Sequence, residues 1–88
     1  MKTIEKKCWP EYFQAVLEGK KKFELRLNDF EVAEGDTLKL REWDPETKDY
    51  TGRELEKKVT YVKDFKVDDL FGQSEEIMEK GFKVISLE

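Results

Sequence analysis

Three side chains close together carry the densest chemistry in the 88-residue sequence: Lys21, Glu24 and Arg26. An ammonium, a carboxylate and a guanidinium so spaced can cradle a polar, planar guest. Arginine offers a rigid fork for carboxylate, phosphate or base edges, and glutamate accepts from an exocyclic amine. A lysine held beside Arg26 can also have its pKa lowered and act as a base or nucleophile. The same spacing equally describes an ordinary cross-strand ion-pair network, which contributes little to stability when exposed. Spacing alone leaves both readings open.

Other candidates lie around this cluster. Asn28 falls on the same strand parity as Glu24 and Arg26. Glu42 interrupts an alternating strand at a position of inward parity, where a third apolar residue is expected after Leu38 and Leu40. Either the strand ends or bulges there, as Asp44-Pro45 suggests, or a buried carboxylate is retained with a partner. Trp9 and Trp43 flank the same region and can stack a base or cover the core. Cys8 reads as a small buried hydrophobe.

Composition excludes much else. The sequence has no histidine and one cysteine, so Ser-His-Asp chemistry, histidine metal sites and an internal disulfide are out of reach. Neither a metal nor a cofactor is expected. The longest apolar run is Ala15-Val16-Leu17 and the N-terminal stretch has no apolar signal region, so the expectation is a cytoplasmic protein without a membrane partner. With 43% charged and 38% apolar residues, a small core lies under a densely charged surface. The length fits one domain, 1–88. The net charge of −4 is unevenly spread: residues 1–26 carry +3, 27–56 carry −6 and 57–88 carry −1. General attraction to a polyanion is therefore weak, while Lys20-Lys21-Lys22 is either a solvated run or part of a local basic face.

The elements that must hold these residues follow from periodicity and punctuation. Thr3–Cys8 is a short strand. Pro10 suits a first helical position, Phe13, Val16 and Leu17 recur at helical spacing, and Gly19 suits a left-handed stop, giving a helix over Pro10–Glu18. Phe23-Glu24-Leu25-Arg26-Leu27 alternates strictly, which predicts a strand with Phe23, Leu25 and Leu27 buried and Lys22, Glu24, Arg26 and Asn28 on the polar face. Phe30 and Val32 fold back onto the core. Thr37–Trp43 is a third strand, residues 44–52 a hairpin loop and Arg53–Phe65 a long return strand. A turn over Val67–Phe71 and one helical turn from Ser74 to Lys80 precede a last strand, 82–87. The fold class is α+β, mostly β: five strands that must hide their edges curl into a small barrel with one main helix at an end.

Gly19-Lys20-Lys21-Lys22-Phe23-Glu24-Leu25-Arg26 fills all four fixed positions of the pattern G-x-K-x-x-E-x-R and so resembles the ASCH superfamily, whose fold is PUA-like. Further stretches are similar to an uncharacterised phage and bacterial "RNA-binding-like" branch: Pro10-Glu11-Tyr12-Phe13, Asn28-Asp29, Val32 with Gly35-Asp36, Arg41-Glu42-Trp43-Asp44-Pro45, Tyr50-Thr51-Gly52-Arg53, Val59-Thr60-Tyr61-Val62 and the closing Val84-Ile85-Ser86. The resemblance implies a small barrel with a cleft between barrel and helix, and RNA or a modified nucleoside as ligand. One branch of the superfamily removes the acetyl group of N4-acetylcytidine with a lysine, a threonine and a glutamate. Lys21 matches that lysine, but Glu24 occupies the threonine position.

Three functions follow as expectations. The first is a binding module for RNA or a nucleoside-like ligand, using Lys21, Glu24 and Arg26 with Trp9, Asn28, Glu42 and Trp43. The second is a metal-independent amidohydrolase on an N-acylated nucleoside, with Lys21 as base and Glu24 or Glu42 polarising water. The third is an accessory protein working through an apolar surface near Trp9 or Trp43.

Overall fold

The computed structural model describes residues 1–65 and 80–88. Strand β1 (Thr3–Cys8) leads directly into helix α1 (Pro10–Leu17), which opens with proline at a position whose missing N–H costs nothing. The helix stops one residue short of the expected Glu18, which caps it. Gly19 takes φ 78° and donates its N–H to the Val16 carbonyl (3.1 Å). A β-carbon on Gly19 would meet no atom within 4 Å, so glycine is needed there for its backbone freedom and not for space.

Strands β2 (Phe23–Leu27), β3 (Thr37–Asp44), β4 (Asp49–Phe65) and β5 (Phe82–Leu87) complete one sheet in the order β1-β3-β4-β5-β2. The β1–β3 pair is parallel and the others are antiparallel, so the sheet is mixed. The 17-residue β4 serves two partners. Through Lys58 it pairs with β3, and from Val59 it pairs with β5, with a register shift between Val59 and Tyr61. A bulge of this kind bends a strand and lets one chain segment turn a corner.

Two expectations need correction. The hairpin between β3 and β4 is tighter than residues 44–52, because Trp43 pairs with Tyr50 and Asp44 with Asp49. Asp44 organises this turn: its Oδ1 accepts from the Glu46 N–H (2.8 Å), its carbonyl accepts from the Lys48 N–H (2.7 Å), and Lys48 takes φ 57°. The sheet also does not close into a barrel. β1 and β2 are its two edges, and no backbone ladder joins them among the described residues. A side chain spans the gap instead: the Arg26 Nη2 donates to the Lys7 carbonyl at 2.6 Å. A ladder would bring the two strands to about 4.8 Å apart and fill the space between them. The expected turn and helical excursion over 67–80 fall almost wholly outside the described residues.

The core forms where α1 lies on β3. Phe13 and Val16 from the helix meet Cys8, Leu38, Leu40, Val59, Ile85 and Leu87, all buried. Phe30 and Val32 pack against this cluster as their sequence setting predicts. The loop before β3 is tied by Asp36, whose Oδ1 accepts from the Lys2 N–H (3.1 Å) and Oδ2 from the Ala33 N–H (2.9 Å).

Two stability tests follow. Phe13 anchors the only described helix onto the sheet, so Phe13→Ala should cost about 3–5 kcal/mol in urea unfolding. The two backbone donors hold the Asp36 carboxyl below its ordinary pKa of 3.8. Its contribution is present above that value and is lost as pH falls through the depressed folded value. Melting temperatures of Asp36→Asn should therefore fall less steeply than those of the wild type as pH drops below about 4.

Candidate functional site

The chain leaves α1 through Lys20 and Lys21, whose N–H groups both donate to the Ala15 carbonyl at 3.0 Å. This fixes the backbone of Lys21 against the helix end. β2 begins two residues later and pairs with β5, with Glu24 opposite Ile85 and Arg26 opposite Lys83. Opposed residues on paired strands share a face, and Ile85 is a core residue. Glu24 therefore points inward.

That reverses the face assignment expected from the alternation. Glu24 is 3% exposed, whereas Phe23 and Leu25 are 47% and 53% exposed. The reason is pairing. Glu24 Oε1 accepts from Lys21 Nζ at 2.8 Å and Oε2 accepts from Arg26 Nε at 2.9 Å, so each carboxylate oxygen has its own cation. A buried charge is tolerated when paired and hydrogen-bonded in this way. The apolar residues that lose the interior become a wall of the cleft.

The cleft measures about 650 Å³ and opens at the β1–β2 gap, within the size range of small-ligand sites. Its polar floor is Lys21, Glu24 and Arg26; Trp9, Tyr12, Phe23 and Leu25 form its apolar walls; Lys7 and Cys8 close it on the β1 side. Trp9 is the N-cap residue of α1 but makes no side-chain cap, which leaves its indole half-exposed at the rim. The Lys21 ammonium lies 5.1 Å from the Tyr12 ring centroid and 5.3 Å from that of Phe23, close enough for cation–π attraction to both.

Donor capacity remains after the internal bonds are made. Lys21 commits one of its three ammonium protons to Glu24. Arg26 commits two of its five N–H donors, one to Glu24 and one to Lys7. The remainder are suited to an acceptor-rich planar guest, one presenting carbonyl oxygens or ring nitrogens between aromatic walls.

Of the residues expected in the site, the structure brings together Lys21, Glu24, Arg26 and Trp9. Three lie elsewhere. Asn28 lies just past the end of β2, where its N–H donates to the Gly81 carbonyl (2.9 Å). Glu42 is buried at a bulge in β3, satisfying both alternatives that its position suggested, and it belongs to a separate cluster. It accepts from Thr51 Oγ1 (2.6 Å) and from Arg53 Nε and Nη2 (3.1 and 3.2 Å), while Arg53 Nη2 also donates to Gln14 Oε1 (3.0 Å). Trp43 sits on the β3–β4 hairpin with the Lys7 ammonium 4.6 Å from its ring centroid. The sequence reading did not place Lys7, Cys8, Tyr12, Phe23 and Leu25 in the site. The usable signal was Glu24 flanked by cations three residues before and two residues after.

Cys8 borders this site and is buried. Burial pushes its thiol up to about 11, with the Glu24 charge adding to the effect and Arg26 and Lys21 opposing it.

The family described as a domain of unknown function (DUF3850) matches residues 3–76. The chain belongs to that family. It is 44% identical over 63 residues to an uncharacterised 12.9 kDa protein in the GpA 3′ region of Escherichia phage P2, a match covering 72% of this chain and 56% of that protein. The chain thus spans just over half the length of that relative. Its fold is similar to the crystal structure of hypothetical protein PH0355, with a TM-score of 0.72 and 21% identity over all of this chain and 98% of the other. This likeness concerns the fold alone.

A thiol probe tests the site's electrostatics. With a pKa of about 11, only about one Cys8 in a thousand is thiolate at pH 8, so alkylation should be slow. Glu24→Gln removes a charge that disfavours the thiolate and leaves the two cations that favour it. Iodoacetamide labelling should then accelerate, and stability should fall by about 2 kcal/mol through the lost charge-assisted bonds.

Proposed function

We propose that the cleft binds RNA or a nucleoside- or nucleotide-like ligand, with a base lying between the aromatic walls and its acceptor edge on Lys21 and Arg26. One observation carries this reading: a buried carboxylate holds two cations beside a cavity of about 650 Å³ with half-exposed Trp9, Tyr12 and Phe23 around it. An ion-pair network serving stability alone has no need of an adjoining cleft with aromatic walls. Base–aromatic stacking is worth about 1–3 kcal/mol per base, and charge-assisted bonds would add direction and selectivity.

The same placement supports reading the chain as an ASCH-type, PUA-like module. The four fixed positions of the G-x-K-x-x-E-x-R pattern act locally as a unit: Gly19 ends the helix, and Lys21, Glu24 and Arg26 form the ion triad. Hydrolysis of an N-acylated nucleoside has less support. Both oxygens of Glu24 are engaged by cations, and Glu42, the other carboxylate that reaction would use, is committed to Thr51 and Arg53.

Calorimetry against nucleosides, nucleotides and short single-stranded RNAs tests the proposal. Lys21→Ala and Arg26→Ala should each weaken binding at least tenfold while the variants still melt cooperatively, and Trp9→Ala should cost about 1–3 kcal/mol of binding. Absence of any ligand, or variants that lose the fold along with binding, would move the triad to a purely structural role.

A further inference from the structure

A second groove of about 430 Å³ adjoins the first, lined by Glu5, Lys6, Lys7, Arg26, Arg41 and Tyr50. Lys7 and Arg26 line both cavities. The bond from Arg26 Nη2 to the Lys7 carbonyl is therefore the divider between them. Resting on the binding function proposed above, we infer that this second groove is a phosphate subsite, so that the ligand class is a phosphorylated nucleotide, free or within an RNA strand, and not a bare nucleoside.

Charge and hydrogen-bonding state support this assignment. Four cationic residues and one carboxylate, Glu5, line the groove, but Lys6 lies opposite the core residue Leu40 on the other face of β1 and Arg26 is paired with Glu24, so Lys7 and Arg41 supply the charge on the groove side. Glu5 is itself shared with Lys39, 3.5 Å away. Arg41 pairs with Glu54 (2.9 Å) and Lys39 lies between Glu54 (3.3 Å) and Glu5, so these two cations and two carboxylates balance one another. Among the described residues neither Lys6 nor Lys7 has an ion-pair partner. Their ammonium groups rest on aromatic faces, Lys6 at 3.7 Å from the Phe30 centroid and Lys7 at 4.6 Å from that of Trp43. Arg41 is stacked on Tyr50 at 3.9 Å. Ring faces orient a cation without neutralising it; the Lys6 ammonium sits on Phe30, a ring packed against the core that does not line the groove, so among the described residues Lys7 is the uncompensated cation held there. A nucleotide has a flat, acceptor-bearing part and a compact anion joined through a sugar. The two cavities match that division: aromatic walls and an ion triad on one side, the unpaired Lys7 ammonium beside Arg41 on the other, and the Arg26 guanidinium between.

Titration calorimetry at 50 mM and 200 mM salt provides the test, using the four common ribonucleosides, their 3′- and 5′-monophosphates and the sixteen ribodinucleoside monophosphates. The phosphorylated form of the best-bound nucleoside should bind the wild type at least tenfold more tightly. The variant Arg41→Gln should reduce that advantage to less than about threefold and lessen the salt dependence, while leaving bare-nucleoside affinity and the melting temperature near wild type. Preference for dinucleotides over monophosphates would identify a strand as the source of the phosphate; equal affinity would identify a free nucleotide. Equal binding of nucleoside and nucleotide by the wild type overturns the subsite and leaves the cleft proposal standing. Failure of every compound to bind overturns both.

Discussion

A carboxylate placed inside a small β-protein must be given partners, and Glu24 is the point from which the arrangement around the cleft follows. Its two oxygens are taken by Lys21 and Arg26, which come from opposite directions along the chain. Satisfying the first requires the helix to end where it does, so that Lys21 is held at the helix terminus by the Ala15 carbonyl. Satisfying the second turns Arg26 inward, where its remaining reach spans to the Lys7 carbonyl on β1. One buried charge thereby links the helix end, β2 and the opposite sheet edge. Without the Arg26 bridge, these two edges would have no described polar connection across the gap.

The open sheet and the cleft are two aspects of the same geometry. Closing β1 onto β2 would satisfy more backbone groups, but it would consume the space that Trp9, Tyr12, Phe23 and Leu25 surround. A side-chain bridge holds the edges at a distance that a ladder cannot. The second buried carboxylate, Glu42, shows the same principle applied to a different end. Thr51 and Arg53 on the neighbouring strand supply its donors, and Arg53 continues to Gln14 on the helix. That cluster fastens α1 to the β3–β4 hairpin. Glu24 fastens the helix exit to β2, and it does so beside a void.

Periodicity made most element positions legible. Thr3–Cys8, Phe23–Leu27 and the last strand fall where the alternation puts them, and Pro10 and Gly19 mark the helix because their backbone constraints are local. The phase of β2 was not legible. Alternation gives a period of two but does not say which set of residues faces inward, and the usual preference for apolar residues inside failed where two cations could accompany the carboxylate. Thr51-Gly52 read as a turn but lies within β4, because Lys48 in the left-handed region closes the hairpin earlier. The open gap was equally hidden, since it depends on contacts between Lys7 and Arg26, nineteen residues apart. For the site, sequence neighbours Lys21, Glu24 and Arg26 were found together, whereas Tyr12, Cys8 and Lys7 join them only through the fold.

The overall acidity of the chain bears on what kind of ligand the proposed binding function would take. At physiological salt, charges farther apart than about 8 Å are largely screened, so of the acidic stretch over residues 27–56 only carboxylates in direct contact, such as Glu54 beside Arg41, offset the cations around the grooves. The stretch as a whole does remove the long-range attraction that lets basic proteins hold a nucleic-acid backbone without regard to sequence. A local cationic surface on a net-negative chain therefore favours ligands that enter and fit over polyanions that merely pass. Glu24 sharpens this selection: by neutralising part of the charge of Lys21 and Arg26, it weakens the pull on any anion while leaving their unused N–H donors in fixed directions. The triad is thus better suited to reading an acceptor pattern than to gathering charge.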